Sequence, residues 1–138
     1  MRFTLGPDLL AQLRQYRDEQ RRLYPEWGGE EDELNAFLLH PGMGPLIYIT
    51  VDGRILIDER GWNGDVLREV ADDDEAIESV VIGASMTGID ALLDLLTPPP
   101  PTAAPCPECT GTRWVTRIPD RHITVVCRTC HGRGWTPG

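Results

Sequence analysis

The sequence predicts an α+β protein: an antiparallel hairpin or meander covered by helices, followed by a small module organised by cysteines. Three observations carry this reading. Apolar residues recur at helical spacing over residues 9–23 and again over 77–96. Between them lies "LIYITVDGRILID", in which two β-rich runs flank Asp52-Gly53, a strong hairpin signal. After residue 105 come two phrases, "CPECTGTRW" and "CRTCHGRGW", that hold all four cysteines of the chain.

The first helix opens at Pro7 and Asp8, residue types suited to a first turn. Leu9, Leu13, Tyr16 and Leu23 share one face, Arg14, Arg17, Arg21 and Arg22 take the others, and Pro25 with Gly28-Gly29 ends the segment. "EEDELNAFLL", residues 30–39, reads as a second, shorter helix with its acidic residues at the favourable N-terminal end; His40 before Pro41 marks its stop. In the hairpin, a two-residue turn sets Val51 opposite Arg54, Thr50 opposite Ile55 and Tyr48 opposite Ile57. Both hairpin faces are then apolar, one to meet a helix and the other a partner or another layer. "RGWNGD" at 60–65 reads as a turn and "VLREV" at 66–70 as a third strand. Asp72–Glu75 opens a helix that aligns Ile77, Val80, Val81 and Ala84, and Thr87 is placed as the N-cap of a last helix carrying Ile89, Leu92, Leu93 and Leu96.

The domain organisation follows from one stretch. "TPPPPTAAP", residues 97–105, cannot continue a helix and favours extended polyproline II. It reads as a spacer between a body at 1–96 and a tail at 106–138, the alternative being a surface connection packed along the body. Charge divides at the same place. Residues 1–100 carry 20 acidic and 8 basic side chains, net −12; residues 101–138 carry 2 and 5, net +3, and every basic residue is arginine. The acidic body argues against non-specific nucleic-acid binding by the chain as a whole, while the basic tail keeps a local version open. No segment approaches the roughly 20 apolar residues that span a membrane. No signal-peptide pattern opens the chain, so the expectation is a cytoplasmic protein with reduced thiols.

Cys106 and Cys109 are separated by two residues, as are Cys127 and Cys130, with seventeen residues between the pairs. This is the spacing of a zinc ribbon. Two cysteines with two residues between them can turn both sulfurs toward one point, and two such knuckles complete a tetrahedral thiolate site. Gly111 and Gly132 follow each pair where a tight turn needs permissive dihedrals. "RWVTRIPDRHITVV" between the knuckles reads as two strands with a turn at Pro119–Arg121. An offset of 21 aligns the phrases, Cys106 with Cys127, Cys109 with Cys130, Gly111 with Gly132 and Trp114 with Trp135, and suggests pseudo-twofold packing. The reading is one structural Zn2+ on Cys106, Cys109, Cys127 and Cys130, weighed against disulfides, buried free thiols and a redox CxxC. Four thiolates close the shell, so the metal is expected to be structural rather than catalytic.

These phrases resemble the CxxCxGxG repeats in the cysteine-rich region of DnaJ-type Hsp40 co-chaperones. The second copy, through Gly132 and Gly134, matches fully; the first carries Arg113 where the last glycine belongs. That family has four repeats and two zinc ions, whereas this chain has two repeats and no His-Pro-Asp motif of a J-domain. The resemblance covers residues 106–135 and implies a metal fold, not chaperone activity.

The remaining candidates are weaker. His131 adjoins Cys130, but four cysteines suffice; His40 and His122 are isolated; Asp72–Glu75 reads as a solvated helix start rather than a cation site. No P-loop, G-x-S-x-G or HExxH pattern occurs. Arg113, Arg117 and Arg121 with Trp114 and Trp135 are candidate nucleic-acid contacts, although the tryptophans can equally cover a small core. The functional expectation is therefore a non-enzymatic, zinc-binding interaction adaptor with a protein partner, and homodimerisation through the second hairpin face is a further expectation. Nucleic-acid binding through the ribbon, and an enzyme with a pocket in the body near Trp62, are the alternatives.

Overall fold

The computed structural model of the chain describes residues 2–26, 29–40, 46–59, 67–118 and 123–137, with Glu30, His40, Arg117, Ile118 and Ile123 described in their main chain only. The chain divides into two compact units, residues 1–95 and 96–138. The first is α+β, as the sequence predicts.

Helix α1 spans Pro7–Leu23, with Pro7 in its first turn, Asp8 at its positive end and Arg21 and Arg22 at its negative end. It buries Leu9 and Leu13. Leu23, expected on the same face, is exposed: the helix closes there, where the Tyr24 N–H donates to the Gln20 carbonyl. Helix α2 covers only Gly29–Leu34, and Ala36–His40 forms strand β1. The expected helix over 30–39 is thus corrected. Asn35 takes φ 51°, the left-handed region that ends a helix, and the apolar run beyond it joins a sheet.

Strands β2 (Leu46–Thr50), β3 (Ile55–Asp58) and β4 (Leu67–Glu69) complete a fully antiparallel sheet in the order β1-β2-β3-β4. The hairpin register differs from expectation by one residue. Ile49 pairs with Ile55, Tyr48 with Leu56 and Ile47 with Ile57, so Val51–Gly53 form a three-residue loop. Thr50 sets this loop. Its hydroxyl bonds the Asp52 carboxylate and accepts from the Arg54 N–H at 2.8 Å. The strand expected over residues 66–70 is present as β4; the turn expected over residues 60–65 lies outside the described residues, as do Trp27, Gly28 and Pro41.

Helix α3 spans Asp73–Thr87. The Asp72 side chain caps it by accepting from the Asp74 N–H, and Gly88 ends it at φ 72°. Ile77, Val80, Val81 and Ala84 are buried as the periodicity predicts. The helix lies close against β1: a Cβ on Gly83 would stand 2.8 Å from Leu39 Cδ1. Thr87 is not the cap of another α-helix. Its hydroxyl donates to the Gly83 carbonyl and accepts from the Ile89 N–H, and a 3₁₀ helix follows over Asp90–Leu95. Arg68 on β4 joins sheet to helix, donating to Glu59 and, at 2.7 and 2.9 Å, to both oxygens of Glu75. The two carboxylates hold its guanidinium above its usual pKa.

The sheet is apolar on both faces. Ala36, Tyr48 and Leu56 form a buried cluster with Leu34, Leu38, Leu46 and Leu67 half-buried against it. By strand alternation Phe37, Ile47, Ile49, Ile55 and Ile57 point to the opposite face.

Candidate metal centre

Among its described residues the second unit has four short strands. Strands β6 (Trp114–Ile118) and β7 (Ile123–Val126) pair with each other; β5 (Ala104–Pro105) pairs with β8 (Trp135–Thr136). The proline-rich stretch, residues 97–105, falls in this unit, and its last two residues form β5. The offset of 21 seen in the phrases holds in three dimensions. Trp114 pairs with Val126 as Trp135 pairs with Pro105, and Val115 pairs with Val125 as Thr136 pairs with Ala104.

The knuckles repeat the same symmetry in their main chain. The Cys106 N–H donates to the Gly134 carbonyl and the Cys127 N–H to the Arg113 carbonyl; Thr112 donates to Cys109 O as Arg133 donates to Cys130 O. Both knuckles pass through the left-handed region at matched positions. Thr110 and His131 take φ 52° and 55°, Gly111 and Gly132 take 85° and 81°, and Arg113 and Gly134 take 76° and 83°. Arg113 thus departs from the glycine pattern in its side chain and keeps the glycine conformation in its backbone. The alignment of the two phrases already marks this position, because it sets Arg113 against Gly134.

Two such knuckles bring four sulfurs together. All four cysteines are buried, and their Sγ atoms lie within 4.8 Å of one another. The cross-knuckle pairs stand at 3.8 Å (Cys106–Cys127) and 3.7 Å (Cys109–Cys130). A disulfide needs about 2.05 Å, so these are free thiols. A tetrahedron of sulfurs around an ion with bonds of about 2.3 Å has an edge of about 3.8 Å. The observed separations match that edge, and the donor set suits a borderline-soft dication.

The electrostatics point the same way. Burial pushes the Cys109 thiol up, but the Arg113 and Gly111 N–H groups and the thiols of Cys130 and Cys106 outweigh it and draw it down to about 7. Cys130 is pushed up to about 12, chiefly by burial and further by the facing thiols, against the N–H groups of Gly134 and Gly132. Four thiols around one point share their protons: one ionises easily, and each further charge meets the last. A dication relieves that repulsion and lets all four ionise. The Gly134 N–H, 3.3 Å from Cys130 Sγ, is already aimed to stabilise a thiolate.

The other candidate residues fall out differently. Arg113 donates through one nitrogen, Nη1, to the carbonyls of Gly132 and Arg133, both at 2.8 Å. Trp114 and Trp135 are half-buried. The side chain of Arg117, and Arg121 and His122 altogether, lie outside the described residues, as does the side chain of His40. His131 is half-buried and is not among the clustered ligands. In the body, an open depression is lined by Ala11, Arg14, Gln15, Asp18, Glu19 and Arg22, all from α1. It has no convergent nucleophile–base pair. Among the described residues no helix is long and apolar enough to cross a membrane.

Comparison with family models, curated proteins and solved structures gives no match for this chain.

Proposed function

We propose that the chain is a zinc protein in which Cys106, Cys109, Cys127 and Cys130 hold one structural Zn2+, and that the folded ribbon presents a rigid surface to a protein partner in the cytoplasm. The observation that supports the metal is four buried sulfurs within 4.8 Å of one another, two pairs of which stand at 3.8 and 3.7 Å, the edge of a tetrahedral thiolate site. Four protein ligands leave no coordination position for substrate, which supports a structural over a catalytic ion. The metal supplies charge and cross-linking, while the chain supplies the N–H groups that steady the sulfurs.

Electrostatics favour a protein partner over nucleic acid. Four thiolates with one dication carry −2, so the net +3 counted on residues 101–138 falls to +1 when the site is filled. Arg113, one of five basic residues there, is already engaged by two carbonyls. An adaptor also accords with a body that is strongly acidic.

Elemental analysis of metal-replete full-length protein tests the first half: one zinc per chain is expected, and less than half a zinc per chain refutes it. Capture of a saturable protein partner by intact protein, lost when residues 106–138 are removed, tests the second. Salt-sensitive binding of a generic oligonucleotide, abolished by the same truncation, would overturn the adaptor reading in favour of nucleic acid.

A further inference from the structure

We infer that Arg113 is a positioning residue of the metal centre, holding the second cysteine knuckle in its ligating shape from across the pseudo-twofold axis. The inference rests on the metal reading above. Position 113 lies in the left-handed region at φ 76°, where glycine is free of strain and an L side chain is not. Its symmetry mate is glycine. An arginine here keeps the strained backbone, so its side chain must supply something a glycine cannot.

What it supplies is visible in the bonds it makes. Nη1 reaches the carbonyls of Gly132 and Arg133, each at 2.8 Å. The second of these belongs to the same peptide group as the Gly134 N–H, and that N–H points at Cys130 Sγ at 3.3 Å. A cation on the oxygen side of a peptide polarises it and strengthens the donor on the nitrogen side. The guanidinium therefore acts on the sulfur through one peptide unit: Arg113 to the Arg133 carbonyl, Gly134 N–H to Cys130. It also fixes the peptide planes of residues 132–134, which shape the knuckle.

The device is present on one side only. A Cβ at Gly134 would stand 3.1 Å from the Gly111 carbonyl oxygen, so a side chain there would need that carbonyl to give way slightly. The two halves of the site are symmetric in backbone and unequal in support.

The test uses full-length protein with Arg113→Gly, Arg113→Ala and Arg113→Lys, and Arg128→Ala as a control that removes an equal charge from an exposed position of the same unit. Each is loaded with Co2+, and affinity is read from the thiolate-to-cobalt and d–d absorption under chelator competition. Loss of the clamp is expected to weaken binding about tenfold or more in Arg113→Gly and Arg113→Ala. Arg113→Lys should recover part of it and Arg128→Ala should stay near native. In the metal-loaded protein the Gly134 amide should exchange its hydrogen faster in Arg113→Ala. Arg113→Gly binding as tightly as native, or more tightly because the backbone strain is gone, overturns the inference while native binding keeps the metal reading intact. A native chain that takes up no cobalt overturns both. Equal weakening in Arg128→Ala assigns the effect to net charge and also overturns the positioning role.

Discussion

Glu31 illustrates how one side chain can settle a local problem. Strand β1 is an edge of the sheet, and its Leu38 N–H donates not to β2 but to the Glu31 carboxylate at 3.0 Å. An unpaired edge donor is an invitation to wrong pairing, and a carboxylate covers it. The cost is a buried charge. Burial raises the Glu31 pKa above the ordinary 4.5, although the Leu38 N–H, Arg21 and Arg17 pull the other way. Burial and Glu31 together also raise Tyr16. The pH dependence has a definite sign. Between the unfolded value and the raised folded value, the native state holds a proton that the unfolded chain has released, so stability falls as pH rises through that window. Urea midpoints measured from pH 4 to 7 should show this fall in the native protein. Glu31→Gln, which cannot titrate, should flatten it; an unchanged slope would mean that Glu31 is not the group responsible.

Among the elements, the hairpin turn carries the most exacting local geometry. Gly53 adopts φ 87°, its carbonyl accepts from the Phe3 N–H at 2.7 Å, and a Cβ added there would lie 1.7 Å from the Phe3 carbonyl oxygen. The N-terminal chain, bridged to the turn through Arg2 and Arg54, therefore runs where a side chain would be. Gly53→Ala combines left-handed strain with a main-chain clash and should cost about 3 kcal/mol, read as a lowered urea midpoint with unchanged slope. Asp52-Gly53 made the hairpin legible in the sequence. It did not fix the loop length, because the choice between two and three residues rests on the Thr50 hydroxyl and the docking of residues 2–3, which are not local signals. Strand β1 was misread for a related reason. "AFLLH" places apolar residues on both faces of the sheet, and a short continuous apolar run has no period to read. The four-residue frame of the cysteine knuckles was legible in full, because metal geometry requires that spacing. Arg113 was legible as a departure but not as a clamp: its partners are main-chain carbonyls 19 and 20 residues away.

At the scale of the whole molecule, two units with different sources of stability share one chain. The first buries Leu13, Phe37, Leu39, Ile49, Ile55, Val80 and Leu92 completely or nearly so. Each such side chain contributes about 1.5–3 kcal/mol of burial, so this unit has an ordinary apolar core. In the second unit the buried cluster is the four cysteines themselves, with Val115 packed against them. Among the described residues, so little buried apolar surface cannot offset the chain entropy of ordering the knuckles. If metal ligation holds this unit together, its stability is linked to free metal by mass action, about 2.7 kcal/mol at a hundredfold excess over the dissociation constant. Removing the metal with a strong chelator at neutral pH should then melt one unit and spare the other. Hydrogen exchange followed by fragment analysis is the direct readout. Amides of residues 106–135 should lose protection on chelation and regain it when Zn2+ is restored, while Ile49, Ile55 and Val80 keep theirs. Lowering the pH should mimic the chelator, because protons compete with the metal for the thiolates. Protection of the Cys127 and Gly134 amides that persists after chelation would mean that the strand pairings alone sustain the ribbon, and the metal would lose its structural role.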